Sequence, residues 1–151
     1  MIETPNNGES DQPVISCDEL RHLKLMEYAV ARAPEAVMAV DWTNGGAQLS
    51  ITYINYAFTR ILGLTWNEAI DQNPTMPCGP STDRHVLKQG LQNVLREGSA
   101  VFDVIHYRKD GTPIWLEILV IPVTDAKGAI TGTVSFAREL TDLNPRTYAQ
   151  N

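Results

Sequence analysis

Apolar residues near the start of the chain recur at the spacing of one helix face. The stripe consists of Leu20, Leu23, Met26 and Val30. Ser16 and Glu19 lie three residues apart at its start, which is the pattern of a capping box. Pro34 disfavours helix at the residue before it, so the pattern predicts an N-terminal helix over residues 16–32 with one apolar face to pack.

The middle of the chain predicts several further helices. Residues 83–97 carry apolar side chains at helical spacing and end at Gly98, a natural C-cap. Residues 55–63 form a shorter pattern, and Thr65–Glu68 repeats the capping-box spacing. Residues 71–82 hold three prolines and a glycine, and they are therefore predicted to form a constrained loop.

Five other segments have the alternation or the β-branched composition of strands. They are residues 35–42, 48–58, 101–108, 113–123 and 129–139. Turn sequences over 43–46, 109–111 and 125–128 join neighbouring strands. One helix, two strands, a group of short helices and then three strands predict an α+β fold with an antiparallel sheet, because a doubly wound parallel sheet alternates single strands and helices.

Composition and charge narrow the class of protein. The apolar fraction is 43% and the charged fraction 20%, as in globular proteins, and no apolar run reaches the ~20 residues of a membrane span. A net charge of −6 disfavours binding to nucleic acid, which needs clustered Lys and Arg. The start of the chain lacks the features of a signal peptide, so we expect a cytoplasmic location, with Cys17 and Cys78 as free thiols.

At 151 residues the chain has the length of one domain with a single core. Residues 1–15 are polar and rich in Pro, Asn and Gly, which predicts a disordered tail. The expected division is a tail over 1–15, a flanking helix over 16–32, a folded domain over 33–142 and a C-terminal tail over 143–151.

Three motifs carry a resemblance to a known family. They are ITYINYAFTRILGLTWNEAI at 51–70, YRKDG at 107–111 and ELTD at 139–142. With them the chain resembles PAS domains over residues 33–142. The resemblance implies a five-stranded antiparallel sheet that cups a ligand cavity, with short helices inserted between strands 2 and 3 and a flanking N-terminal helix.

A narrower resemblance is to the flavin-binding LOV branch of that family. Residues 71–83 read DQNPTMPCGPSTD, in which Asn73 and the segment 79–83 match the patterned LOV loop. The photoreactive cysteine of that loop falls on Pro74, which has no thiol. By this resemblance, light-driven adduct formation is not expected at that position.

Other flavin contacts of LOV domains also fall on different residues here. The phosphate-binding arginine falls on Thr75, and the loop glutamine falls on Cys78. The two asparagines fall on His106 and Leu116, and the strand-five glutamine falls on Ala137. A buried flavin ring loses about 1–3 kcal/mol of binding free energy for each of its polar groups that is left without a hydrogen-bond partner. The resemblance therefore implies that LOV-style FMN binding is lost.

Strand alternation combined with the family match predicts which side chains face the cavity. The candidates are Asn73, Cys78, Phe102, Val104, His106, Leu116, Ile118, Val120 and Ala137. This set is mostly apolar, with His106 as its main polar group, which suits a hydrophobic or planar ligand held by one hydrogen bond. Three possibilities remain open for what fills the cavity: core side chains alone, an unidentified small ligand, or a flavin.

Particular cofactors have weaker support in the sequence. Some redox-sensing PAS domains bind FAD through a glutamate and a tryptophan, and Glu117 and Trp115 resemble these in position. Haem needs an axial ligand, for which His85 is the candidate, and haem is not expected. Cys78, Asp83 and His85 contain the residue types of a catalytic or metal site, but without an oxyanion loop or a second ligand pair no enzyme and no metal site is predicted.

The sequence thus favours a non-catalytic sensory module that senses a small ligand or redox state and signals through its flanking helix. The alternatives are a ligand-free interaction domain and an FAD-binding redox sensor. A homodimer is expected, with a signalling effector as a second partner and neither nucleic acid nor membrane as one. The predicted dimer contacts are Leu20, Leu23, Met26, Val30, Trp115, Leu119 and Ile121, because exposed apolar faces need a cover.

Overall fold

A computed structural model describes residues 14–140 of the chain. The tail predicted over 143–151 and all but the last two residues of the tail predicted over 1–15 lie outside the described residues. Within them, one helix precedes two strands, three helices follow, and three strands end the fold.

The helices are α1 (Cys17–Ala31), α2 (Tyr56–Leu62), α3 (Trp66–Ala69) and α4 (Arg84–Glu97). The strands are β1 (Ala36–Thr43), β2 (Gln48–Ile54), β3 (Ala100–Tyr107), β4 (Pro113–Thr124) and β5 (Ile130–Glu139). Over residues 14–140 they form one sheet of five strands in the order β2-β1-β5-β4-β3, and every neighbouring pair is antiparallel. The predicted α+β fold is therefore confirmed, including the helices inserted between the second and third strands.

Local sequence signals explain where the helices begin and end. Both predicted capping boxes form, at Ser16 before α1 and at Thr65 before α3. Asp83 caps α4 by accepting from the backbone N–H groups of His85 and Val86. Gly98 ends α4 with a φ of 82°, a left-handed conformation that glycine adopts without steric cost.

The first hairpin turn differs in detail from a tight two-residue turn. Its residues form a short 3-10 turn over Asn44–Gly46, and all three have positive φ. The glycines tolerate this conformation for lack of a Cβ, and asparagine is among the side chains that enter it most readily. The positive φ angles expected for this segment are present, but they are spread over three residues.

The core lies on one face of the sheet, which we call the inner face. Its cluster joins inward side chains of the strands to α2, α3 and the start of the loop after α2. Ile51 and Leu116 are among its largest fully buried members. The opposite, outer face carries Trp115, Leu119 and Ile121, of which Ile121 is 40% exposed.

Helix α1 does not cover the outer face within one chain. None of its residues is buried in the described part of the chain, and Leu20, Leu23 and Met26 of its stripe are 46–58% exposed. The stripe predicted from spacing is present, so any cover for it must come from another molecule or from a part of the chain outside residues 14–140.

Candidate functional site

A cavity of about 340 Å³ lies between the inner face of the sheet, α4 and the loop over residues 71–83. Strand β1 contributes Met38, Val40 and Trp42, and α4 contributes Leu87 and Leu91. A smaller space of about 30 Å³ adjoins it and shares His106, Pro74 and Ile118 with it. The larger volume is in the range of known small-molecule pockets, about 300–1,000 Å³.

His106 is the polar group at the junction of these two spaces. Its side chain lies on the inner face of β3, and the residue is only 7% exposed. Among residues 14–140, no group hydrogen-bonds its buried Nδ1. An orphaned buried polar atom of this kind costs about 1–3 kcal/mol of stability, so it indicates either strain or the place of a missing partner.

Burial also determines the charge of His106. Desolvation lowers its pKa from the ordinary value of 6.5 to about 4, while a hydrogen bond with the backbone of Ile105 acts in the opposite direction with a smaller effect. The imidazole is therefore neutral at physiological pH. A neutral imidazole has one nitrogen that donates and one that accepts, so it can recognise a polar group without bringing a charge into the cavity.

Two hydroxyl groups on β5 also reach the cavity, from Thr133 and Ser135, and both residues are buried. Ser135 Oγ donates to the carbonyl of Met38 at 3.5 Å, which is the outer limit of a hydrogen bond. Exposed side chains of Thr75 and Lys88 lie at the rim. The interior is therefore apolar with three uncharged polar groups, and the only formal charge on its described wall is at the rim.

The loop over 71–83 is fixed against β3. The backbone N–H of Tyr107 donates to the carbonyl of Pro77 at 2.8 Å, and Thr82 Oγ1 donates to the carbonyl of Ile105 at 2.7 Å. Gly79 packs so closely on the Tyr107 ring that a Cβ at this position would overlap it. These contacts hold Pro74 and Cys78 at the cavity wall.

The thiol of Cys78 is half-buried in this wall. Burial raises its pKa, and the positive charge of Arg84 offsets only part of that effect. The thiol therefore remains protonated at neutral pH, and a protonated thiol is a poor nucleophile. The wall position of Cys78 makes it useful as a probe of the cavity.

The predicted cavity residues fall into four groups. Those that line the larger space are Cys78, Phe102, His106, Ile118 and Val120. Leu116 and Ala137 line the smaller space, and Val104 is buried in the core cluster. Asn73 lies away from both spaces: it is exposed, and its Oδ1 accepts hydrogen bonds from the backbone N–H and the hydroxyl of Thr75.

Sequence reasoning missed the contributions of β1 and α4 and, on β5, those of Thr133 and Ser135. Met38, Val40 and Trp42 alternate along β1, so the same alternation argument that selected β3 residues could have found them. Thr133 and Ser135 alternate with the predicted residue Ala137 along β5, so the same argument applies to them. Leu87 and Leu91 belong to the helical pattern of residues 83–97, but spacing alone does not show that they face the cavity.

The other cofactor candidates lie outside the cavity. Glu117 is on the outer face, where its Oε1 accepts from Arg138 Nε at 2.8 Å across neighbouring strands. His85 is exposed on α4 and does not line the cavity. Over residues 14–140, no three His, Cys, Asp or Glu side chains are grouped so as to hold a metal ion. In the same range no helix combines the length and apolar character needed to span a bilayer.

Fold and cavity together define a small domain of the α+β class with a pocket on the inner face of its antiparallel sheet, and comparison with known proteins gives the family. The PAS domain family matches residues 35–142, which is most of the chain. The chain therefore belongs to the PAS domain family.

Curated relatives include a blue-light-activated histidine kinase of Erythrobacter litoralis, 27% identical over 93 residues, which are 62% of this chain and 26% of that protein. The nitrogen fixation regulatory protein of Klebsiella pneumoniae is 26% identical over 106 residues, which are 70% of this chain and 21% of that protein. The match thus spans about a quarter or less of these relatives.

Solved structures share the fold. A PAS domain from Colwellia psychrerythraea superposes with a TM-score of 0.71 at 22% identity and covers 80% of this chain and 98% of that one. An RNA-binding light-oxygen-voltage receptor superposes with a TM-score of 0.70 at 21% identity and covers 93% of this chain and 37% of that one. These structures show the shared fold, and the family match together with the curated relatives shows a PAS domain that is similar to parts of signalling proteins, LOV-type ones among them.

Proposed function

We propose that this chain is a non-catalytic sensory module, which binds a small ligand in the cavity and passes the occupied state to a partner through α1. The observation that carries the proposal is the cavity of about 340 Å³ with the neutral side chain of His106 among its lining residues. A core filled by its own side chains leaves no such volume. We expect the module to act in the cytoplasm, with neither nucleic acid nor membrane as a partner.

The route from cavity to α1 runs through β1 and one buried asparagine. Asn55 Nδ2 donates to the carbonyls of Val30 and Glu35 at 2.9 Å each, and its Oδ1 accepts from the backbone N–H of Val37 and of Phe58. One side chain therefore joins the last turn of α1, the start of β1 and the start of α2.

A ligand that shifts β1 would change this junction. Strand β1 contributes Met38, Val40 and Trp42 to the cavity wall and begins five residues after α1 ends. The mechanism is a two-state shift, in which the ligand favours whichever arrangement of β1 and α1 gives the better cavity contacts. The direction of that shift depends on the ligand.

Dimerisation is the second part of the proposal. The exposed stripe of α1 and the apolar side chains of the outer face are complementary in character, and neither is covered by the other within one chain. Pairing two copies would cover both. An effector protein or domain could occupy the same surfaces in the signalling complex.

Native mass spectrometry of freshly purified protein tests both parts in one experiment. We expect the mass of a dimer and an additional mass per chain that is released on denaturation. A monomer with the bare chain mass, which also fails to take up any added small molecule, would contradict the ligand proposal and leave the ligand-free interaction domain.

A flavin is the second candidate occupant, and an FAD-binding redox sensor the corresponding alternative function. It is favoured by the likeness to LOV-type proteins and by the position of Pro74 and Thr75 on the cavity wall, where the patterned LOV loop would place its own residues. A yellow protein with flavin absorbance would support it. The released mass and the visible spectrum distinguish this candidate from a colourless ligand.

A further inference from the structure

The polar groups of the cavity restrict the kind of ligand that fits it. Apart from the rim, the described wall consists of apolar side chains, with His106, Thr133 and Ser135 as its buried polar residues. The rim cation Lys88 is exposed, so water screens its charge from the interior. An ionised ligand group placed in the interior would lose its hydration without meeting an opposite charge there.

His106 is the group that most needs a partner. Ser135 Oγ already has a weak bond to the carbonyl of Met38, whereas His106 Nδ1 has none among residues 14–140. The neutral ring has one nitrogen that donates and one that accepts, and which of them carries the hydrogen is not observed. A hydroxyl group can do both, and it therefore fits either tautomer of the ring.

The wall also favours a flat ligand body. Phe102 and Trp42 contribute aromatic rings to the cavity. Phe102 is held close to α4 because Gly90 has no side chain, and a Cβ at that position would overlap the ring. Aromatic rings pack best against other rings in offset or edge-on arrangements, which a planar ligand can adopt in a narrow space.

Building on the sensory function proposed above, we propose that the cavity selects an uncharged ring compound that carries one hydroxyl group, which hydrogen-bonds to the neutral imidazole of His106. The ring system packs against Phe102 and Ile118. The selectivity for the hydroxyl comes from His106, and the affinity for the rings comes from the apolar wall.

The test uses Cys78 as a reporter and 2-naphthol as the probe. Cys17 is exposed on α1, so the variant C17S leaves Cys78 as the single thiol of the two in the chain. A bound ring should slow labelling of Cys78 by a thiol reagent. In this background we expect 2-naphthol to protect at about tenfold lower concentration than naphthalene, as one hydrogen bond of about 1.4 kcal/mol provides.

The variant H106F, also made in C17S, isolates the proposed bond. It keeps a ring at the position but has no nitrogen, so the preference for 2-naphthol should disappear while naphthalene still protects. The matched control is H85F, since His85 is exposed and outside the cavity, and it should keep the preference. If H106F does not fold, H106L serves the same comparison.

Several results would overturn the proposal. The first is that H106F keeps the preference for 2-naphthol over naphthalene that the parent shows. The second is that 2-naphthoate binds more tightly than 2-naphthol, and the third is that T133V loses the preference while H106F keeps it. Absence of any protection by 2-naphthol would do so as well. If these occur while native mass spectrometry shows a released ligand of another class, the ligand class is wrong and the sensory function stands; if no ligand binds at all, the sensory function falls too.

Discussion

The two faces of the sheet carry similar apolar residues but differ in how far the same chain buries them. On the inner face, apolar side chains such as Leu116 meet the short helices and loops of the same chain and are buried. On the outer face, Leu119 of the same strand is only half-buried and lies beside the ion pair between Glu117 and Arg138. Strand alternation alone cannot tell which face a chain will cover for itself.

Under the proposed function the two faces have different roles. The inner face lines a cavity whose buried polar groups are uncharged, which suits recognition of a small molecule. The outer face leaves apolar side chains such as Ile121 exposed, and a partner would cover them. Asn55 lies where β1 meets α1, so under the proposed function a shift of β1 at the cavity wall reaches α1 through this side chain.

The largest expected effect is on stability, and it should differ between a truncation on the inner face and one on the outer face. Leu116 is 1% exposed, so L116A should lower the free energy of unfolding by about 4 kcal/mol through lost burial and a new cavity. L119A, three residues along the same strand, should cost about 1 kcal/mol in dilute protein. Urea denaturation measures both, and equal costs would show that the outer face is covered as fully as the inner one.

The stability costs of the two variants should also differ in how they depend on protein concentration. If a second copy covers the outer face, the cost of L119A grows with protein concentration, because association stabilises only the parent. The cost of L116A should stay constant, since its contacts lie within one chain.

The next effect concerns pH and depends on the inner face alone. Burial lowers the pKa of His106 to about 4 in the native state, against an ordinary value of 6.5 in the unfolded chain, so between these values the unfolded chain binds a proton that the native state does not. The contribution of neutral His106 to the free energy of unfolding is fully present above pH 6.5. It falls by about 3 kcal/mol as the pH drops towards 4. Chemical denaturation at pH 7 and at pH 4 should show this loss.

The variant H106F provides the control for the pH effect. It lacks the titrating group, so its stability should change less between the two pH values, by about the amount assigned to His106. It should also be about 1 kcal/mol more stable than the parent at pH 7, because the orphaned Nδ1 is removed. An identical pH dependence in the two proteins would locate the titration elsewhere.

A smaller effect tests the link between β1 and α1. N55D keeps the oxygen that accepts from Val37 and Phe58 but loses the Nδ2 donor to the carbonyls of Val30 and Glu35. We expect a loss of about 2 kcal/mol and faster amide exchange at the end of α1. Helix α4 is the internal control, and faster exchange there as well would mean general destabilisation.

How much of the fold and of the candidate site the sequence predicts depends on how far apart in the chain the interacting residues lie. Ser16 with Glu19, Thr65 with Glu68 and Gly98 predict helix ends because each signal acts within a few residues. His106 was selected as a cavity residue by alternation and resemblance, and its unpaired state required the three-dimensional structure.

The exposed position of α1 and the inward position of Leu87 could not be derived in the same way. They depend on how a helix packs on residues distant in the chain, and an apolar stripe is the same whether a chain covers it or leaves it exposed. Asn55 was matched only as part of a motif, and its four hydrogen bonds to α1, β1 and α2 have no signature in spacing.

The smallest effect concerns the close approach of α4 to β3. Alanine is a better helix former than glycine by about 1 kcal/mol, but a Cβ at Gly90 would overlap the Phe102 ring, and such overpacking costs about 1–3 kcal/mol. G90A should therefore be about 1 kcal/mol less stable than the parent by urea denaturation. In an F102A background the clash is absent, so there G90A should instead be stabilising by about 1 kcal/mol. If G90A stabilises the parent as well, the Phe102 ring has turned into the cavity, and 2-naphthol should then no longer protect Cys78.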